Sequence, residues 1–107
     1  MPVSEEYLEY VLDQITIEGD ISARSMFGGY GVFMDNKMFG IVSDDVLYLK
    51  ADNQNRQDYE RAGMHPFRPY KDQSRIMSYY EVPADILESV TELEPWVEKA
   101  LGAARRG

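Results

Sequence analysis

The sequence predicts an α+β fold: an antiparallel sheet of about five strands with helices packed against it, in the order α-β-β-β-α-β-β-α-α. Three observations carry this expectation. Strand-like runs at 24–34, 37–42 and 46–50 follow one another through very short connections, which force antiparallel neighbours. Helical periodicity is confined to the two ends and one central segment, so strands and helices are segregated. With 107 residues, 44% of them hydrophobic, the chain suits one domain over 1–107 with a single core.

Each element has a local reason. Ser4 is a good N-cap, and Glu5 and Glu6 fall in the first turn, where the helix dipole favours negative charge. Leu8, Val11, Leu12 and Ile15 recur at helical spacing, so residues 5–17 read as an amphipathic helix ended by Gly19. The run 24–34 alternates like a strand but holds Gly28, Gly29 and Gly31. Glycines there mark a strand built to bend, or one that another backbone approaches closely. Asp35-Asn36 and Ser43-Asp44-Asp45 have turn composition and separate the next two strands.

Asp52 or Asn53 can cap a second helix that runs to Ala62 and is closed by Gly63. Its apolar contributions are Tyr59 and Ala62, so it should lie lightly on the fold or against a partner. Residues 67–70 and 75–81 read as a further hairpin, whose first strand Pro66 and Pro69 place at a sheet edge. Pro83 opens a short helical turn with Ile86 and Leu87, and Thr91 with Glu94 forms a capping box for the last helix. Leu93, Trp96, Val97, Ala100 and Leu101 are its buried face, with Arg105 and Arg106 suited to its C-terminal dipole.

Composition excludes several function classes. The chain has no cysteine, hence no disulfide, iron–sulfur cluster or thiolate zinc site. No leader opens it and no run nears the roughly 20 apolar residues of a membrane span, so a cytoplasmic location without membrane association is expected. The net charge of −8 disfavours direct DNA binding, which gains affinity by neutralising phosphates with Lys and Arg. A local basic face is the exception to weigh: Arg56, Arg61, Arg68, Lys71 and Arg75, interleaved with Tyr59, Phe67 and Tyr70, have the composition of a single-strand or RNA platform. The same residues also fit an ordinary solvated helix and hairpin.

Catalytic constellations do not emerge. With one histidine and no cysteine a nucleophilic triad fails, and His65, between Met64 and Pro66, reads as a loop residue. One imidazole builds no typical metal site unless carboxylates converge on it. Glu5-Glu6 and Asp44-Asp45 have plain roles in a helix's first turn and a hairpin. Gly29-Tyr30-Gly31 begins like a phosphate-cradling G-x-G-x-x-G loop, but Met34 occupies the third glycine position inside a strand meander. No enzyme activity, cofactor or metal is expected.

What remains is rich in sulfur and aromatic rings: Met26, Phe27, Tyr30, Phe33, Met34, Met38 and Phe39, then Met77, Tyr79 and Tyr80. Such side chains suit adaptable recognition surfaces, and one face of each strand must also fill the core. Alternation sets Phe27 and Phe33 opposite Met26, Tyr30 and Met34. Met26, Tyr30, Tyr79 and Tyr80 are the expected surface residues for a protein partner, with Arg24 as an anchor for an acidic group. An edge strand and an aromatic surface would permit a homodimer.

The chain resembles the N-terminal domain of the TfoX/Sxy family of bacterial competence regulators. The matching segments are Arg24-Ser25-Met26-Phe27-Gly28-Gly29-Tyr30-Gly31, Lys37-Met38-Phe39-Gly40-Ile41-Val42, Asp45-Val46-Leu47-Tyr48-Leu49-Lys50, Ala62-Gly63-Met64-His65-Pro66-Phe67, Met77-Ser78-Tyr79-Tyr80 and Trp96. They cover nearly the whole chain. The resemblance implies an α+β fold similar to secretion chaperones and a link to transcription of DNA-uptake genes. It assigns no catalytic residue. Taken with the acidic balance, it implies a non-enzymatic regulatory module that binds a protein partner in transcription control. The alternatives are direct nucleic-acid binding through the Arg56–Arg75 face and small-molecule sensing.

Overall fold

In the computed structural model, residues 5–16, 19–26, 29–67 and 78–107 are described. The expected α+β class is observed. Among these residues, five strands form one antiparallel sheet in sequence order, β1(Ile21–Met26), β2(Gly29–Met34), β3(Lys37–Ser43), β4(Val46–Lys50) and β5(Tyr79–Glu81). The helices are α1(Glu5–Gln14), α2(Arg56–Arg61), α3(Ala84–Leu87) and α4(Val90–Arg106). None of them is long and apolar enough to cross a membrane.

The run expected as one bent strand is two strands. β1 pairs antiparallel with β2 from Ile21↔Met34 to Met26↔Gly29, so the chain reverses between Met26 and Gly29. Four strands therefore precede α2. The next two turns form as their composition predicts. Asp35 and Asn36 both have positive φ (52° and 63°), as do Asp44 and Asp45 (52° and 56°), the left-handed pair that two-residue hairpins require. A bulge on β3 lets Val32 oppose Gly40 while Phe33 opposes Met38. The extra residue, Phe39, is fully buried.

One sheet face carries the main core. Val32, Met34, Phe39, Val42, Leu47 and Leu49 meet Val11 and Ile15 from the α1 end of the chain and Leu93, Val97, Ala100, Leu101 and Ala104 of α4. The α4 residues follow the expected helical face. Its start differs by a turn position: Ser89, in extended conformation, is the N-cap, and its Oγ accepts from the Glu92 amide at 3.2 Å. Ser89-x-x-Glu92 has the same capping spacing as Thr91-x-x-Glu94, and the earlier pair wins. The first helix ends at Gln14, before the β-branched run Ile15-Thr16-Ile17 that favours extended backbone; its expected cap Ser4 lies outside the described residues. Gln14 Nε2 donates to the Leu87 carbonyl at 2.8 Å, joining α1 to α3.

The second helix starts at Arg56, with Asn55 as N-cap in place of Asp52 or Asn53. Asp52 instead accepts the Gln54 amide at 2.9 Å, closing a turn ahead of the helix. At the other end the Met64 amide donates to Tyr59 O and the Gly63 amide to Glu60 O, a Schellman ending in which Gly63 has φ +74°. This helix is anchored more firmly than its composition suggests. Tyr59 is 1% exposed, edge-on to Trp96 at 4.9 Å and 5.5 Å from Tyr80. Ala62 is exposed.

Beyond α2, residues 65–67 run beside β5: Phe67 N donates to Tyr79 O at 2.6 Å and Glu81 N to His65 O at 3.1 Å. Pro66 thus sits at the sheet edge, where a residue without an amide proton is tolerated. The rest of the expected hairpin, residues 68–77, lies outside the described residues.

Candidate functional site

The outer face of β1, β2 and β3 lies opposite the helices. Strand pairing sets Arg24 beside Gly31, Met26 beside Gly29, and Phe33 between Ser22 and Met38. Gly31 leaves a hollow at the centre. A Cβ built there would lie 2.6 Å from Met26 Sδ, 2.8 Å from Met38 Sδ and 2.9 Å from Phe33 Cε1. Two thioethers and a ring edge therefore close over bare backbone, a use of glycine for close approach.

Arg24 tops this hollow. Its guanidinium carbon lies 4.6 Å from the centre of the Phe33 ring, and its Nη2 donates to Asn36 Oδ1 at 3.3 Å. Ring and turn together hold the cation in one place; cation–π contacts at exposed sites contribute about 0.5–1 kcal/mol. A planar guanidinium has several further donors to offer a carboxylate. Chemically the patch can present a fixed exposed cation beside polarisable apolar groups.

The five expected partner residues do not all gather here. Arg24 is exposed and Met26 half-buried, and both sit on the patch. Met26 thus shares a face with Phe33, opposite Tyr30, because the chain reversal after Met26 breaks the alternation counted through 24–34. Tyr30 alternates with Gly31, half-buried on the helix-facing side. Tyr80 is half-buried on β5, at the far end of the sheet, against Tyr59. Tyr79 corrects the expectation of a surface residue: it is 5% exposed. It packs with Ile41 and Phe67, and its hydroxyl donates to the Met38 carbonyl at 3.2 Å. Burial pushes its phenol up to about 12. Phe33 and Met38 complete the patch, and only the strand register and the bulge bring them to it.

The basic set divides as well. Arg56 Nη2 donates to Asn53 Oδ1 at 2.8 Å, whereas Arg61 Nη2 donates to Gln57 Oε1 at 3.2 Å. Five residues apart on a helix, the two arginines project in different directions. Arg68, Lys71 and Arg75 lie outside the described residues. His65 is exposed, and among the described residues no group of three or more His, Asp or Glu side chains could hold a metal ion.

Residues 13–104 match the TfoX N-terminal domain. The chain is 32% identical over 82 residues to the DNA transformation protein TfoX1 of Aliivibrio fischeri, covering 69% of this chain and 39% of that protein. It is 32% identical over 105 residues to Protein Sxy of Escherichia coli, covering 94% of this chain and 46% of that protein. An uncharacterised 12.7 kDa protein from the trpE 5′ region of Spirochaeta aurantia is 26% identical over 95 residues, 88% of this chain and 76% of that protein. The chain spans less than half the length of the first two relatives. By the extent of the domain match and the identity to TfoX1 and Sxy, this chain belongs to the TfoX N-terminal domain family.

Proposed function

We propose that this protein is a non-enzymatic regulatory module that acts in transcription control by binding a protein partner through the outer face of β1–β3. The observation that carries this reading is Arg24 fixed over Phe33, with Met26 and Met38 around Gly31. Arginine and methionine are enriched at protein interfaces, and thioethers repack readily against a partner. The matching partner surface has an acidic group for Arg24 with apolar side chains beside it. One relative is named a DNA transformation protein, which suits the link to DNA-uptake genes that this reading carries. The net charge of −8 favours a protein over a nucleic acid as the partner.

The test is affinity capture from source-cell lysate at moderate salt after nuclease treatment. It compares the wild-type chain with Arg24→Glu and Met26→Asp variants whose circular dichroism is unchanged. The expected result is a defined protein retained by the wild type and lost from both variants. Equal retention by the folded variants, or recovery of nucleic acid alone, would overturn the reading.

A further inference from the structure

A second feature lies at the far end of the sheet, where β4 passes into α2 beside β5 and the end of α4. A cleft of about 440 Å³ opens there, lined by Lys50, Asp52, Arg56, Ser78, Tyr80 and Arg106 among others. In a chain with 19 acidic and 11 basic side chains, three cationic residues line this one recess, and Asp52 is the one acidic side chain among its lining residues.

Its walls are held in place. Arg106 Nε donates to Asp52 Oδ2 at 2.7 Å, Arg56 Nη2 to Asn53 Oδ1 at 2.8 Å, and the Ala51 amide to the Ser78 carbonyl at 2.8 Å. The Lys50 ammonium lies 5.1 Å from the Tyr79 ring centre, and among the described residues no carboxylate is within ion-pair distance of it. Tyr80 adds an aromatic wall, fixed from behind by Tyr59.

We propose that this cleft binds a small phosphorylated molecule, its phosphate held between Lys50, Arg56 and Arg106. Cationic side chains lining one cleft can form charge-assisted hydrogen bonds to phosphate oxygens. The volume falls in the range of small-molecule sites, about 300–1,000 Å³. An extended polyanion fits less well, because the helices beside the cleft carry exposed Glu60 and Glu98. The inference is independent of the docking surface, since β1 and β5 are opposite ends of the sheet.

The test is an amide-shift titration of the 107-residue chain at low salt, with inorganic phosphate, adenosine monophosphate and a short DNA duplex as separate probes. Saturable shifts centred on Lys50, Asp52, Arg56 and Arg106 are expected with the small probes. Equal affinity for both would assign a phosphate site, and tighter binding of the nucleotide would add stacking on Tyr80. Lys50→Gln and Arg56→Gln, each with an unchanged spectrum elsewhere, should weaken binding at least about tenfold, the scale of one charge-assisted hydrogen bond. The proposal fails if no saturable shift appears, if both variants bind as the wild type does, or if the duplex binds the cleft more tightly than the small probes.

Discussion

The side-chain amide of Asn55 donates to the Lys50 carbonyl at 3.1 Å, while its Oδ1 accepts the Asp52 amide at 2.8 Å. Asn55 is 2% exposed, the one buried polar or charged side chain among the described residues apart from the tyrosines. One side chain therefore shapes the whole passage from β4 into α2, and with it the orientation of Asp52 towards Arg106. Asn55→Ala leaves an amide proton and a carbonyl without partners. Each orphaned group costs about 1–3 kcal/mol, so a loss of about 2–4 kcal/mol is expected in urea unfolding. A loss under about 1 kcal/mol would show that water replaces the amide.

Tyr59 makes the opposite prediction. Its hydroxyl is buried without a hydrogen-bond partner, while its ring is held by Trp96 and Tyr80. Tyr59→Phe should be at least as stable as the wild type near neutral pH, whereas Tyr59→Ala should lose about 3–5 kcal/mol. Burial, with a smaller effect from Asp58, drives the Tyr59 phenol far above its ordinary range. The unfolded chain releases that proton first. The stability linked to the neutral phenol is complete below about pH 10 and is lost as pH rises towards the folded-state value. The urea midpoint should thus fall above about pH 10, and less steeply in Tyr59→Phe. Parallel curves for the two proteins would contradict this.

Gly29 and Gly31 should differ in their tolerance of a methyl group. A Cβ at Gly29 lands on the Val42 carbonyl oxygen, so backbone must move, whereas at Gly31 it meets the ends of Met26 and Met38 and the Phe33 ring. Gly31→Ala is expected to cost about 1–3 kcal/mol as the side chains shift. Gly29→Ala should cost more, and loss of the folded state is an acceptable extreme. Thermal unfolding of both variants checks the order, and the reverse order would contradict the β2–β3 register.

The sequence was legible where local chemistry decides. Leu93, Val97, Ala100 and Leu101 are buried as their spacing requires, and Asp35-Asn36 and Asp44-Asp45 turn as their composition requires. The reversal between Met26 and Gly29 was hidden because the strand-like pattern continues across it and no Asn or Asp marks it. That break moved Met26 to the Phe33 face. Tyr79 and Tyr80 were equivalent as letters, and only pairing with Lys50 and Leu49 sends one into the small cluster with Ile41 and the other towards Tyr59. That Lys50, Arg56 and Arg106 line one cleft depends on α4 packing beside β4, which no local pattern encodes.

The docking surface is tested most directly by site-specific photo-crosslinking in the source cell. A crosslinker replaces Ser22, which pairs with Phe33 on the β1 side of the patch, and separately Glu94, exposed on α4. A single protein adduct is expected from position 22, abolished by Arg24→Glu in the same chain, and none from position 94. Adducts from position 94 alone, or from position 22 regardless of Arg24, would contradict it.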